Sequence, residues 1–289
     1  MITELDCGRM SLAVDSQGAE LASLKLDGRE LLWQGSDRFW NGRAPVLFPI
    51  VCGLRDDFYT YKGKRYDMPP HGFASASEFT LAEKTGCSLS YRLKDSGETR
   101  KMYPFPFALT VTYSLQDSCF TQTYRVENPG EEALPFSIGV HTALNCPLGG
   151  DESFEDYFIQ FEKPVTVERQ LKENGLLAGK SVPFLQKEDT LPLSYSLFKE
   201  AIPLLDIPAK RLELANSKGT FRARYDYPDY RDLGIWTMPG APFLCIEPWN
   251  GYDSYVDSPR DLLEKPGILV LEKGEARVFQ NSISFILQE

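Results

Sequence analysis

Three segments put titratable side chains into apolar surroundings, and between them they hold the residues best suited to chemistry. The first runs Phe48-Pro49-Ile50-Val51-Cys52-Gly53-Leu54-Arg55 and is followed by Met68-Pro69-Pro70-His71-Gly72-Phe73. The second is Pro135-Phe136-Ser137-Ile138-Gly139-Val140-His141-Thr142-Ala143. The third is Phe243-Leu244-Cys245-Ile246-Glu247-Pro248-Trp249-Asn250-Gly251-Tyr252-Asp253. At period two, Phe136, Ile138 and Val140 face one way, into a core. His141 shares the opposite face with small residues, which suits a surface approached by a ligand. Glu247 shares a face with Phe243, Cys245 and Trp249. A carboxylate there is costly unless it is paired or its pKa rises into the range of a working acid or base. An aromatic ring beside a carboxylate also grips a sugar, by stacking on its C–H face and bonding a hydroxyl. Each residue has a plain structural alternative: a turn histidine on a carbonyl, an edge-strand histidine in water, a buried Glu–Arg pair.

One carboxylate and two imidazoles supply an acid and a base near neutral pH, and so suit proton transfer on a neutral substrate. His71 and His141 are the only histidines in 289 residues, which rules out a three-histidine metal centre. No metal is expected. Acyl transfer is disfavoured because Gly-x-Ser-x-Gly is absent and no Ser or Cys sits in a marked nucleophile context. Phosphate cradles and dinucleotide fingerprints are missing. Two-carboxylate glycoside hydrolysis stays open, since acidic residues are plentiful.

The elements that must position these groups are strands. Leu109 to Leu115 alternates apolar residues with small hydroxyls; Phe120, Gln122, Tyr124 and Val126 face away from Thr121, Thr123, Arg125 and Glu127; Ser282 to Leu287 mostly follows suit. Turn signals recur between strands: Asp27-Gly28, Lys62-Gly63, Asn128-Pro129-Gly130, Asn174-Gly175, Pro239-Gly240. The best helical signal is Asp257 to Glu264, with a capping candidate, Pro259 in the first turn and Pro266 as a stop. The sequence therefore predicts an all-β chain, a sandwich or barrel in one domain over residues 1–289, with few short helices.

Charge and composition narrow the partners. With 31 Lys+Arg against 41 Asp+Glu the net charge is −10, which argues against nucleic acid or an anionic membrane. The longest apolar stretch, Val46 to Leu54, is broken by Pro49 and Gly53 and falls far short of the ~20 residues that span a bilayer. The N-terminus lacks the pattern of a signal peptide. Six scattered cysteines without a C-x-x-C pair read as free thiols in a cytoplasmic protein.

At this point the motifs resemble a known family. Gly18-Ala19-Glu20-Leu21-Ala22-Ser23-Leu24, Leu31-Leu32-Trp33, Ala44 to Ile50, Tyr61 to Tyr66, His71-Gly72-Phe73-Ala74, Gly139-Val140-His141 and Ile246-Glu247-Pro248-Trp249 are similar, in order and spacing, to the aldose 1-epimerases (galactose mutarotases), in particular their bacterial mutarotase-related branch. The resemblance implies a galactose mutarotase-like antiparallel β-supersandwich, a sugar groove on its concave face, and no cofactor. It implies interconversion of α and β anomers of a free hexose such as galactose or glucose. Glu247 would take the C1 hydroxyl proton, His141 would protonate the ring oxygen, and His71 would hydrogen-bond the sugar and stabilise charge. Trp249 would contact the substrate. Glu247 and His141 are expected to face each other about one sugar ring apart.

Two departures from the family pattern stand out. Gly53 occupies the usual place of an arginine, and Arg55, two residues on, is the expected substitute, ~6–7 Å along at ~3.3 Å per residue. The family's hydroxyl-binding aspartate has Glu200 as its nearest match, one methylene longer. Thr142 follows His141 where proline is common. A hexose-6-phosphate epimerase and a non-catalytic sugar-binding protein are the alternative readings. The partner expected is a small sugar, and the chain a monomer or homodimer.

Overall fold

The computed structural model describes residues 1–288. Its backbone is mostly antiparallel strand, as the period-two patterns require. Nine strands form the largest sheet, which begins at one edge with the long hairpin Tyr157–Glu173 and Leu176–Pro192 and ends at the other with Thr80–Lys84. Its central strands are the ones with the cleanest alternation. Val111, Tyr113, Phe120, Tyr124 and Phe285 are fully or almost fully buried, each contributing about 1.5–3 kcal/mol of burial. Gln122, on the same inward face, is accommodated because its side-chain amide donates to the Tyr124 hydroxyl at 2.7 Å.

A second, five-stranded sheet carries the functional segments. Phe243–Asn250 runs between Asp232–Trp236 on one side and the short strands Ile138–Gly139 and Ala143–Asn145 on the other. Its two faces have separate fates. Leu244 and Ile246, with Ile138, Leu233 and Ile235, join the same buried cluster as the nine-stranded sheet, so the two sheets share one core. Phe243, Cys245, Glu247 and Trp249 point the other way. The alternation read from the sequence thus separates core from site. A four-stranded sheet, Ile2–Cys7, Met10–Asp15, Glu20–Leu26 and Arg29–Glu30, adds its buried side chains to the same core.

Two expectations need correction. Residues 257–264 do not form a helix; only Leu262–Glu264 makes a short 3-10 turn, capped by Asp261, whose carboxylate accepts from the Leu263 N–H at 2.9 Å. The upstream part is drawn into tertiary pairing instead. The Thr60 N–H donates to the Arg260 carbonyl at 2.7 Å, which holds that stretch extended. The thiols are not all free: Cys7 and Cys87 are joined as a disulfide, with Cα atoms 5.3 Å apart. They lie 80 residues apart in sequence, so no local spacing could show that sheet packing brings them together. Cys52, Cys119, Cys146 and Cys245 remain free. Among the described residues no helix is long and apolar enough to cross a membrane.

Candidate active site

On the outward face of the five-stranded sheet lies a cavity of about 580 Å³, a size suited to a small-molecule ligand. His71, His141 and Glu247 all line it. Residues 176 positions apart in sequence are brought together because three separate loops and strands converge on one sheet face.

Glu247 sits in the central strand opposite Gly234. Trp249, two residues on, lies flat over two glycines of the flanking strands. A Cβ at Gly234 would stand 2.3 Å from Trp249 Cζ2, and one at Gly139 would stand 2.7 Å from Cδ1. Those glycines are therefore required by the indole above them. The indole nitrogen and the Glu247 Oε2 atom are both buried without a hydrogen-bond partner. Such atoms mark a place built for a polar ligand.

His141 Nε2 is 3.4 Å from Glu247 Oε2. The side chains are 11% and 2% exposed. Burial drives the Glu247 carboxyl well above its usual range, opposed more weakly by the Trp249 indole and the Lys172 charge. Burial, helped by the neighbouring His71, pushes His141 down to about 3. Both effects favour the uncharged forms. The expected separation of about one sugar ring is too large. The imidazole is further enclosed by Trp40, Trp236 and His71, with ring centroids 4.9, 5.8 and 5.6 Å away.

His71 occupies a left-handed backbone position, φ 65°, held from several sides. Its own N–H donates to the Cys52 carbonyl at 2.9 Å, and its carbonyl accepts from the Phe48 N–H at 3.2 Å. Nδ1 accepts from the Cys52 N–H at 3.2 Å. That bond fixes the tautomer and leaves Nε2 as the donor nitrogen. Burial pushes its pKa down to about 4, so it is a neutral donor at pH 7.

The two sequence-expected polar binders are elsewhere. Gly53 and Arg55 do not lie on one strand. The chain leaves the extended conformation at the 3-10 turn Arg55–Asp57, where Asp56 and Asp57 take φ of 58° and 55°. Arg55 lines an adjoining depression together with Asp56 and Asp57, outside the cavity. Glu200 is exposed; its carbonyl accepts from Arg169 Nη2 at 3.4 Å, and only its neighbour Ala201 lines the cavity. Strand-period reasoning misplaced Arg55 because it lies in a turn; Glu200 was chosen only by its likeness to the family's aspartate.

In their place the structure supplies Lys172 and Asp253, which sequence reasoning missed. Lys172 Nζ and Asp253 Oδ2 are 2.7 Å apart, with side chains 17% and 5% exposed, and both line the cavity. The Asn174-Gly175 turn signal placed Lys172 beside a hairpin tip, but not what the tip would reach. A metal would find ligand atoms on His141, Cys245 and Glu247, all within 4.8 Å of one another. Burial raises the Cys245 thiol well above its usual value, which makes it a poor ligand.

Comparison with known proteins shows the family. The family model for aldose 1-epimerase matches residues 1–196, the stretch that includes both histidines. The chain is 34% identical over 282 residues to the chromosomal protein LacX of Lactococcus lactis, covering 93% of this chain and 94% of the relative. This chain belongs to the aldose 1-epimerase family. As a member of that family it is an isomerase. Its fold follows that of other members closely. A galactose mutarotase related enzyme from Lactobacillus acidophilus superposes with a TM-score of 0.93 at 30% identity, with 100% of both chains covered. A galactose mutarotase-like protein from Lactobacillus casei gives 0.92 at 28% identity, with 99% of this chain and 100% of the other covered. The galactose mutarotase-like sandwich expected from the sequence is therefore the observed fold.

Proposed function

We propose that this protein is an aldose 1-epimerase that interconverts the α and β anomers of a free hexose such as galactose or glucose. The observation that carries the reading is the buried Glu247–His141 pair at 3.4 Å. In a pyranose, the anomeric hydroxyl O1 and the ring oxygen O5 are bonded to the same carbon. A base for one and an acid for the other must therefore be close neighbours, which the pair is.

The cycle starts when the carboxyl proton of Glu247 moves to His141, leaving a carboxylate and an imidazolium. Glu247 takes the proton from O1 while His141 gives one to O5; the C1–O5 bond breaks and C1=O1 forms. Rotation about C1–C2 and the reverse transfers close the ring on the other face. The pair ends with the one proton it began with. His71 Nε2 supplies a neutral hydrogen bond, and Trp40, Trp236 and Trp249 offer aromatic surface to sugar C–H bonds. Each proton transfer supplies ~10²–10⁴-fold, a scale suited to a reaction that already proceeds slowly in water.

The charge balance supports a neutral sugar over a hexose phosphate. Among the described residues lining the cavity, Lys172 is the single Lys or Arg, and Asp253 neutralises it. The adjoining depression sets Arg55 beside two aspartates, no better for a dianion.

Polarimetry of freshly dissolved α-galactose and α-glucose tests the reading. The wild type should accelerate the approach to equilibrium and Glu247→Gln should bring it near the uncatalysed rate. Equal rates with and without wild-type protein across a broad panel of free sugars would sink it in favour of a binding protein. Acceleration confined to hexose 6-phosphates would favour the phosphate reading.

A further inference from the structure

The hairpin Tyr157–Glu173 and Leu176–Pro192 is unusual in length, and only its base belongs to the nine-stranded sheet. Residues Tyr157 to Phe161 pair with the neighbouring strand Arg211–Asn216; beyond Phe161 the first arm pairs only with the second. The register slips between Gln170 and Lys172 just before the Asn174-Gly175 turn, a bulge of the kind that re-aims a side chain next to a site.

The tip is fastened to the body. The Leu177 N–H donates to the Ser254 carbonyl and the Val256 N–H to the Leu177 carbonyl, both at 3.0 Å, and Leu177 is fully buried. The landing site is the segment that follows the Glu247 strand. There Asp253 accepts from the Gly53 N–H at 2.8 Å through Oδ1 and from Lys172 at 2.7 Å through Oδ2. A Cβ on Gly53 would make a tight contact here, 3.3 Å from Asp253 Oδ1. The missing side chain at 53, the carboxylate of Asp253 and the hairpin-borne ammonium form one arrangement.

From this we infer that Lys172 and Asp253 are the hydroxyl-reading pair of the cavity, selecting a sugar with two neighbouring hydroxyls away from its anomeric carbon. The ammonium has three donors and spends one on Asp253. A carboxylate oxygen accepts more than one hydrogen bond, so each of the two keeps capacity for the ligand. A donor and an acceptor 2.7 Å apart match a vicinal diol: one hydroxyl accepts from Lys172 and its neighbour donates to Asp253. The inference rests on a sugar occupying the cavity, as proposed above. It adds residues and a specificity that the acid–base pair does not require.

Binding and turnover are read separately, so that the two ideas can fail separately. Sugar binding is followed by fluorescence, since three tryptophans line the cavity, using Glu247→Gln to suppress turnover. Adding Lys172→Met to that background should weaken binding of the preferred hexose about tenfold or more, the scale of a lost charged hydrogen bond. Lys172→Arg should restore part of it. Lys172→Met leaves a buried carboxylate unpaired, so Lys172→Met/Asp253→Asn, which removes both charges, is the second variant; it should melt near the parent temperature and bind as weakly. With monodeoxy sugars, the analogue lacking the contacted hydroxyl should bind parent and Lys172→Met equally. Unchanged affinity in both variants, an equal loss across every deoxy sugar, or no sugar binding by the parent would overturn the inference. Absence of rate acceleration by wild type would overturn the epimerase reading alone.

Discussion

The imidazole of His141 and the carboxylate of Glu247 meet at 3.4 Å in a place where burial biases each toward its neutral form. Separately, each would be a costly buried group. In the proposed mechanism one proton passes between them, which is what opening and closing a sugar ring requires. If they act as a unit, Glu247→Gln and His141→Gln should each lower kcat by ~10²–10⁴. The double variant should be little worse than the weaker single one. Multiplicative losses in kinetics of the three variants would show two independent roles.

His71 gives a pH test of stability. Its folded pKa is lowered from 6.5 to about 4 by burial, partly offset by Asp253 and reinforced by Lys172. The unfolded chain therefore takes up the proton first. Stability is complete above pH 6.5 and is lost as pH falls toward 4. At pH 5 the contribution is on the order of 1–2 kcal/mol relative to pH 7.5. Urea unfolding at the two pH values should show this difference reduced by that amount in His71→Asn. An identical pH dependence in the two proteins would contradict the buried, neutral imidazole.

Gly234 is needed for the Trp249 indole. Gly234→Ala puts a methyl 2.3 Å from Trp249 Cζ2, so the ring, which lines the cavity, must shift. The expected cost is about 1–3 kcal/mol of stability, together with a raised KM as the ring shifts beside Glu247. Thermal melting and steady-state kinetics check both; a variant with wild-type values would show that the ring has slack.

The disulfide Cys7–Cys87 closes an 80-residue separation. Reduction should lower stability by about 2–4 kcal/mol through the freer unfolded chain. Activity in the native state should persist, because neither cysteine lines the cavity. Melting with and without dithiothreitol, beside polarimetry, separates the two effects.

The proposed proton transfers need no metal, so turnover should be unchanged after EDTA treatment and dialysis. A metal that did enter between His141 and Glu247 would take the lone pairs that move protons. Added Zn²⁺ should therefore inhibit. Loss of activity in EDTA, restored by a metal, would overturn the acid–base scheme.

The sequence by itself determined the strands and their faces. Alternation is a local property, so spacing alone put Glu247 and Trp249 on one face of their strand, while their proposed roles came from the family resemblance. His71, His141 and Glu247 were legible for the same reason, each standing out against the apolar residues beside it. Tertiary structure decided what lies outside strands or far apart in the chain. Arg55 lies outside the cavity because a turn, unlike a strand, carries no fixed facing, and Glu200 lies outside it on an exposed stretch. Lys172, Asp253 and the Cys7–Cys87 bond emerged only with long-range packing: a hairpin tip meets a loop, or two strand ends meet, across 80 residues or more. Such meetings are set by how the sheets stack, and no local pattern encodes them.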